Sequence, residues 1–230
     1  MAAWAVGGEA FRPPFWQGDG DQNASSATAA QHDGSGSDPA QPVRARSGMI
    51  PKSKPKGVQN FIDACQTRWQ EQGRPLDAAD DSLSQWRVHV VAMNKLVAGQ
   101  ITLSQATAFW NQTRLGAIHK VHRFDQSLAL FKRSGTPCGR PVGKLVATLA
   151  AIDTLDRCVR ATAAGDRVLD VAESAIMTWE HHIHDMEMLR SGQLSPTQAT
   201  RMWVSNWHKG NRQIDRYADA EQRARSIHCA

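Results

Sequence analysis

The feature that most constrains this chain is a match to itself at an offset of 93 residues. Residues 60–124 lie over 153–217 without a gap. Identical pairs include Cys65/Cys158, Trp86/Trp179, His89/His182, Met93/Met186, Leu96/Leu189, Gly99/Gly192, Gln105/Gln198 and Trp110/Trp203. Rare residue types seldom coincide by chance, so the chain reads as two copies of one unit. A duplicated unit folds twice in the same way, and two such units can bury their apolar faces on each other.

The periodicity within each unit is helical, and it predicts three helices per copy. The first carries Val58, Phe61, Ile62, Cys65 and Trp69 in copy one, and in copy two it runs from about Val142 to Ala164. Gly165 then fits a left-handed C-cap and Asp166 an N-cap. The second helix runs from about Leu76 to Ala98 and from Arg167 to Ser191, with Gly99 and Gly192 ending it. The third opens on a capping box: Ser195-Pro196-Thr197-Gln198 in copy two and Thr102-Leu103-Ser104-Gln105 in copy one. The short link between second and third helices makes them antiparallel neighbours. The expected fold is all-α, two tandem three-helix units forming a pseudo-twofold, four-helix-bundle-like core of ferritin-like type. The repeats span 58–138 and 141–230.

Residues 1–57 have another character. Beyond the apolar start they are rich in Gly, Ser, Ala, Asp, Gln and Pro. Such a segment buries too little surface to offset the entropy of ordering, and reads as a disordered tether. Ala2–Gly8 is apolar but lacks the basic start and length of a signal peptide. It reads as the outer end of a membrane anchor whose upstream part would precede this start.

Charge and hydropathy narrow the partners. Residues 60–230 keep 21 basic and 17 acidic side chains, dispersed rather than gathered in a stripe. A nucleic-acid footprint is a clustered patch, so no nucleic-acid partner is expected. Lys52, Lys54 and Lys56 form the one basic cluster, a solvated linker interrupted by prolines. No stretch reaches the roughly 18 apolar residues of a membrane span.

The four cysteines divide evenly between the copies. Cys65 and Cys158 sit on the first helices; Cys138 and Cys229 follow the third. Pairing Cys138 with Cys158 conflicts with a helix over 141–158, which would hold its ends about 25 Å apart, whereas bonded cysteines bring their α-carbons within about 7 Å. Two pairings remain: Cys65–Cys138 with Cys158–Cys229, or Cys65–Cys158 with Cys138–Cys229. The first, which staples each unit, is favoured. Disulfides would place the protein in an oxidising, extracytoplasmic setting; four free thiols would mark a cytoplasmic one.

Each second helix carries Trp-x-x-His-x-x-x-Met-x-x-Leu: Trp86, His89, Met93, Leu96 and Trp179, His182, Met186, Leu189. Steps of three and four put these on one apolar face. Two readings follow. His89, Met93, His182 and Met186 could form a soft imidazole–thioether set of the kind that suits copper. Alternatively, each histidine is hydrogen-bonded in a core that methionine fills. His181 and His184 lie off the stripe and read as a solvated face, the alternative there being a surface metal site using His181, His184 or Met188; His119 and His122 read as surface residues. Inward carboxylates with Glu-x-x-His pairs, phosphate loops and nucleophile elbows are missing from the pattern.

The string His182-x-x-x-Met186-x-x-Leu189-x-x-Gly192-x-Leu194-Ser195-Pro196-x-Gln198-Ala199-x-x-x-Trp203 resembles uncharacterised helical-repeat proteins of high-GC actinobacteria. The piece His181-His182-x-x-x-Met186 is similar to secreted ferritin-like domains, although copy one has Val88 where copy two has His181. The resemblance covers roughly 60 residues per copy. It implies a helical bundle and an extracytoplasmic setting, and no particular activity. The expected function is a non-catalytic extracytoplasmic structural or interaction module with no cofactor; the alternative is copper binding through the His/Met set.

Overall fold

The computed structural model describes residues 57–142 and 147–229, and the expected tether lies outside them apart from Gly57. The described residues form five helices: α1 (Val58–Val97), α2 (Leu103–Arg114), α3 (Ala117–Ser134), α4 (Leu149–Arg190) and α5 (Pro196–Ala224). The architecture is all-α, and no described helix is long and apolar enough to cross a membrane.

The two long helices α1 and α4 form the centre and run parallel. Contacts between them advance together along both: Cys65 clusters with Cys158, Gln72 reaches Thr162, Trp86 stacks on Trp179, and His89 meets His182. α2 and α3 fold back along α1, and α5 folds back along α4. The turns between them are those the sequence predicts. Gly99 and Gly192 take φ of 67° and 75°. Gln100 and Gln193 donate their backbone N–H groups to the Lys95 and Met188 carbonyls, closing the helix ends. Thr102 with Gln105 and Ser195 with Gln198 form complete capping boxes.

The boundary expected between first and second helices does not exist. α1 runs unbroken through Pro75, and α4 through Gly165 and Asp166. Gly165 is a crossing point instead of a cap. A β-carbon there would lie 2.4 Å from Gln72 Oε1, so glycine is what lets the buried Gln72 side chain lie across α4. Gln72 Nε2 donates to the Thr162 carbonyl at 2.9 Å and to Asp166 Oδ1 at 2.7 Å. Asp166 also accepts from Arg68 at 2.9 Å. The aspartate expected to cap a helix therefore pins two helices together. Pro75 has no N–H to offer the Glu71 carbonyl, a loss that costs about 3 kcal/mol in a helix interior. Burial of its ring offsets part of that.

Two further boundaries differ. α4 begins at Leu149 rather than near Val142, with residues 143–146 outside the described set. The third helix of copy one is broken into α2 and α3 at Gly116, whose φ of 68° ends α2. Gln85 Nε2 donates to the Leu115 carbonyl at the break, 2.8 Å away. In copy two the matching stretch, Lys209–Gly210, stays helical within α5. Trp69, expected on an inner face, is partly exposed, as is Phe109 on α2.

Cys65 is bonded to Cys138 and Cys158 to Cys229. Each bond ties the start of a long helix to the segment after its returning partner. The sulfurs sit in a small apolar cluster with Ile62, Leu155 and Ala161. A larger core fills the rest of the bundle around Trp86, Trp179, Phe124, Leu83, Ile176 and Tyr217.

Candidate functional site: a buried imidazole pair

The two Trp-His-Met stripes face each other where α1 meets α4. The Trp86 and Trp179 rings stack with centroids 4.7 Å apart and planes 22° from parallel. One turn further on, His89 and His182 meet edge to face, their Nε2 atoms 3.0 Å apart. Each imidazole lies beside the opposite indole: His182 is 5.4 Å from Trp86, and His89 is 5.2 Å from Trp179. Both histidines are buried. The returning helix α5 approaches closely at Gly210, where a β-carbon would fall 2.5 Å from the Trp86 ring.

The hydrogen-bond partners favour one placement of the proton on each ring. Thr113 Oγ1 donates to the Phe109 carbonyl at 2.9 Å, so it accepts from His89 Nδ1, also 2.9 Å away. His89 then carries its proton on Nδ1 and offers a lone pair at Nε2. His182 must donate to that lone pair from its own Nε2, and its Nδ1 is a buried acceptor without a partner. The opposite assignment would strand a buried N–H at that atom, whose desolvation is no less costly; it would also turn Thr113 away from the carbonyl. We assign the first arrangement.

Burial holds both imidazoles neutral. It lowers His89 well below the ordinary value of 6.5, and the neighbouring His182 lowers it further. Burial alone takes His182 down to about 3. Neutral imidazole is the form that accepts hydrogen bonds and binds metals.

A small cavity of about 50 Å³ opens beside the pair. His89, His182, Met93, Met186, Trp86 and Trp203 contribute to its wall. The four residues singled out as a His/Met set therefore border one space. Met186 is buried and Met93 half-buried. Arg114 also lines the cavity, with Nη1 3.4 Å from Glu187 Oε1. Among the described residues no three His, Cys, Asp or Glu side chains gather to hold a metal ion. His181, His184, His119 and His122 are exposed, and Met188 is half-buried.

Asp185 is the residue that sequence reasoning missed. It lies one step from the Met186 position yet is buried, accepting from Asn206 Nδ2 at 3.0 Å. Burial raises its pKa; the Asn206 hydrogen bond and the nearby His184 and His181 pull against that rise. The self-match held a signal for it. At the 93-residue offset Asp185 lies over Ala92 and Asn206 over Thr113, so both partners of this hydrogen bond differ between the aligned segments. Because Asn206 is committed to Asp185, nothing in copy two plays toward His182 Nδ1 the part that Thr113 plays toward His89. A second polar network, Asn94 with Trp207 and Asn211, ties the end of α1 to α5.

Comparison with protein-family models, with curated proteins and with solved structures gave no match.

Proposed function

We propose that the protein is a non-catalytic extracytoplasmic module, built by duplication of a helical hairpin and closed by one disulfide per copy. In this reading a pseudo-twofold axis runs parallel to α1 and α4, between the paired tryptophans and the paired histidines. The observation that carries it is the equivalence of the two staples. Cys65–Cys138 and Cys158–Cys229 close loops of nearly equal length, with separations of 73 and 71 residues, and their first members are exactly one repeat apart in sequence. Disulfides persist in oxidising compartments. Structural ones of this span add about 4 kcal/mol each by restricting the unfolded chain.

A structural or interaction role fits the interior polar groups better than catalysis does. His89, Thr113, Asp185 and Asn206 are engaged with one another or with their own backbone. The space beside them is far smaller than the roughly 300 Å³ or more of ordinary substrate pockets.

Thiol titration in denaturant, without reductant, tests the setting on protein recovered from its native cells. No free thiol is expected, with peptide mapping returning Cys65–Cys138 and Cys158–Cys229. Four free thiols would overturn the extracytoplasmic reading.

A further inference from the structure

We propose that the gap between His89 Nε2 and His182 Nε2 is a binding site for one soft monovalent metal ion of copper(I) type, completed by the thioethers of Met93 and Met186. This goes beyond the module reading and does not depend on it.

The geometry of the nitrogens is already close to that of a chelate. With metal–nitrogen bonds of about 2.0 Å, a 3.0 Å separation subtends about 100° at the metal, near the tetrahedral angle. The donor set is soft, which favours copper(I) over calcium or magnesium. The cavity bordered by both methionines lies beside the pair. Its volume of about 50 Å³ suits a single ion with side chains closing over it. Arg114 is the cation nearest this space, and its pairing with Glu187 limits the repulsion. A monovalent ion suffers less from it than a divalent one.

The hydrogen bonds explain how the site can open without releasing a proton. Thr113 already holds the His89 proton on Nδ1, leaving Nε2 free. The one obstacle is the proton on His182 Nε2. His182 Nδ1 is the buried nitrogen without a partner, so this proton can move there by tautomerisation; the buried N–H this leaves is a cost that the two metal–nitrogen bonds must exceed. Both Nε2 atoms then offer lone pairs to an ion seated beside the line that joins them, since 3.0 Å is too short to hold one on it. The His182 ring keeps one proton throughout, and the metal keeps its oxidation state. Thr113 is a positioning residue in this scheme, fixing the His89 tautomer that binds.

The test uses the full chain and copper(I) alone, supplied as a copper salt with excess ascorbate, which leaves disulfides intact. One equivalent should survive competition with a bicinchoninate chelator, with quenching of tryptophan fluorescence from the rings around the pair. Met93→Leu/Met186→Leu nearly conserves core volume and should stay folded by circular dichroism while binding at least tenfold more weakly. His181→Ala/His184→Ala, altering only exposed histidines, should bind as the parent does. Failure of the folded parent to retain copper(I) would overturn the proposal. So would undiminished retention in the double methionine variant, or loss of retention in the surface-histidine variant.

Discussion

Acid should unfold this protein through its buried imidazoles, and the effect has a calculable size. In the unfolded chain each histidine takes up a proton near pH 6.5. In the folded chain His182 resists protonation until about pH 3, and His89 is also held well below its ordinary value. Between these limits the unfolded state binds more protons, so stability is fully present above pH 6.5 and falls as pH drops. His182 alone contributes a loss of about 1.4 kcal/mol per pH unit below 6, or about 2.5 kcal/mol between pH 7 and pH 4.5. His89 adds to the loss in the same direction. Asp185 and Asp125, whose carboxyls burial holds above their usual range, act oppositely, because the folded state takes up their protons more readily than the unfolded chain does. The assay is urea unfolding followed by tryptophan fluorescence from pH 7.5 to 4.5. A His182→Gln variant serves as reference. It should be less stable at pH 7 yet lose stability less steeply, so that the two curves converge by about 2.5 kcal/mol at pH 4.5. Parallel curves would refute the burial of a neutral His182.

Other consequences follow from single contacts. Gly73 lies within α1, and a β-carbon there meets nothing within 4 Å, so Gly73→Ala should stabilise by about 0.5–1 kcal/mol through helix propensity. Gly210→Ala carries the same propensity gain but drives a methyl into the Trp86 ring; thermal denaturation should show a net loss of about 1–3 kcal/mol. Cys158→Ser/Cys229→Ser should cost about 3–4 kcal/mol by urea unfolding without displacing the His89–His182 pair, which lies more than 20 residues along α1 and α4 from the staples.

Local signals with a local cause were legible in the sequence. The capping boxes at Thr102 and Ser195 and the glycine stops at 99 and 192 use backbone chemistry contained within a few residues, and the sequence prints all of it. The inward stripe of Trp86, His89, Trp179 and His182 was legible because helical period alone sets its direction. Gly165-Asp166 was misread because the same two residues serve a cap or a helix crossing equally well. What decides between them is Gln72, on another helix. The break at Gly116 was likewise hidden, since glycine can be tolerated inside a helix, as Gly210 is. Asp185 required knowing that Asn206 stands over it. The spacing of His89, Met93, His182 and Met186 was visible as a pattern. The 3.0 Å approach of the two Nε2 atoms and the free Nδ1 of His182 arise only from assembly of α1 on α4.

The central claim is that two neutral imidazoles from matching positions meet inside the bundle. Long-range proton–nitrogen correlation spectra of the histidine rings, recorded from pH 7 to pH 5, test it directly. Of the nine histidines, two should stay neutral throughout, one protonated on Nδ1 and the other on Nε2, with nitrogen–nitrogen coupling across the hydrogen bond between them. Nine rings all titrating near pH 6.5 would contradict the account.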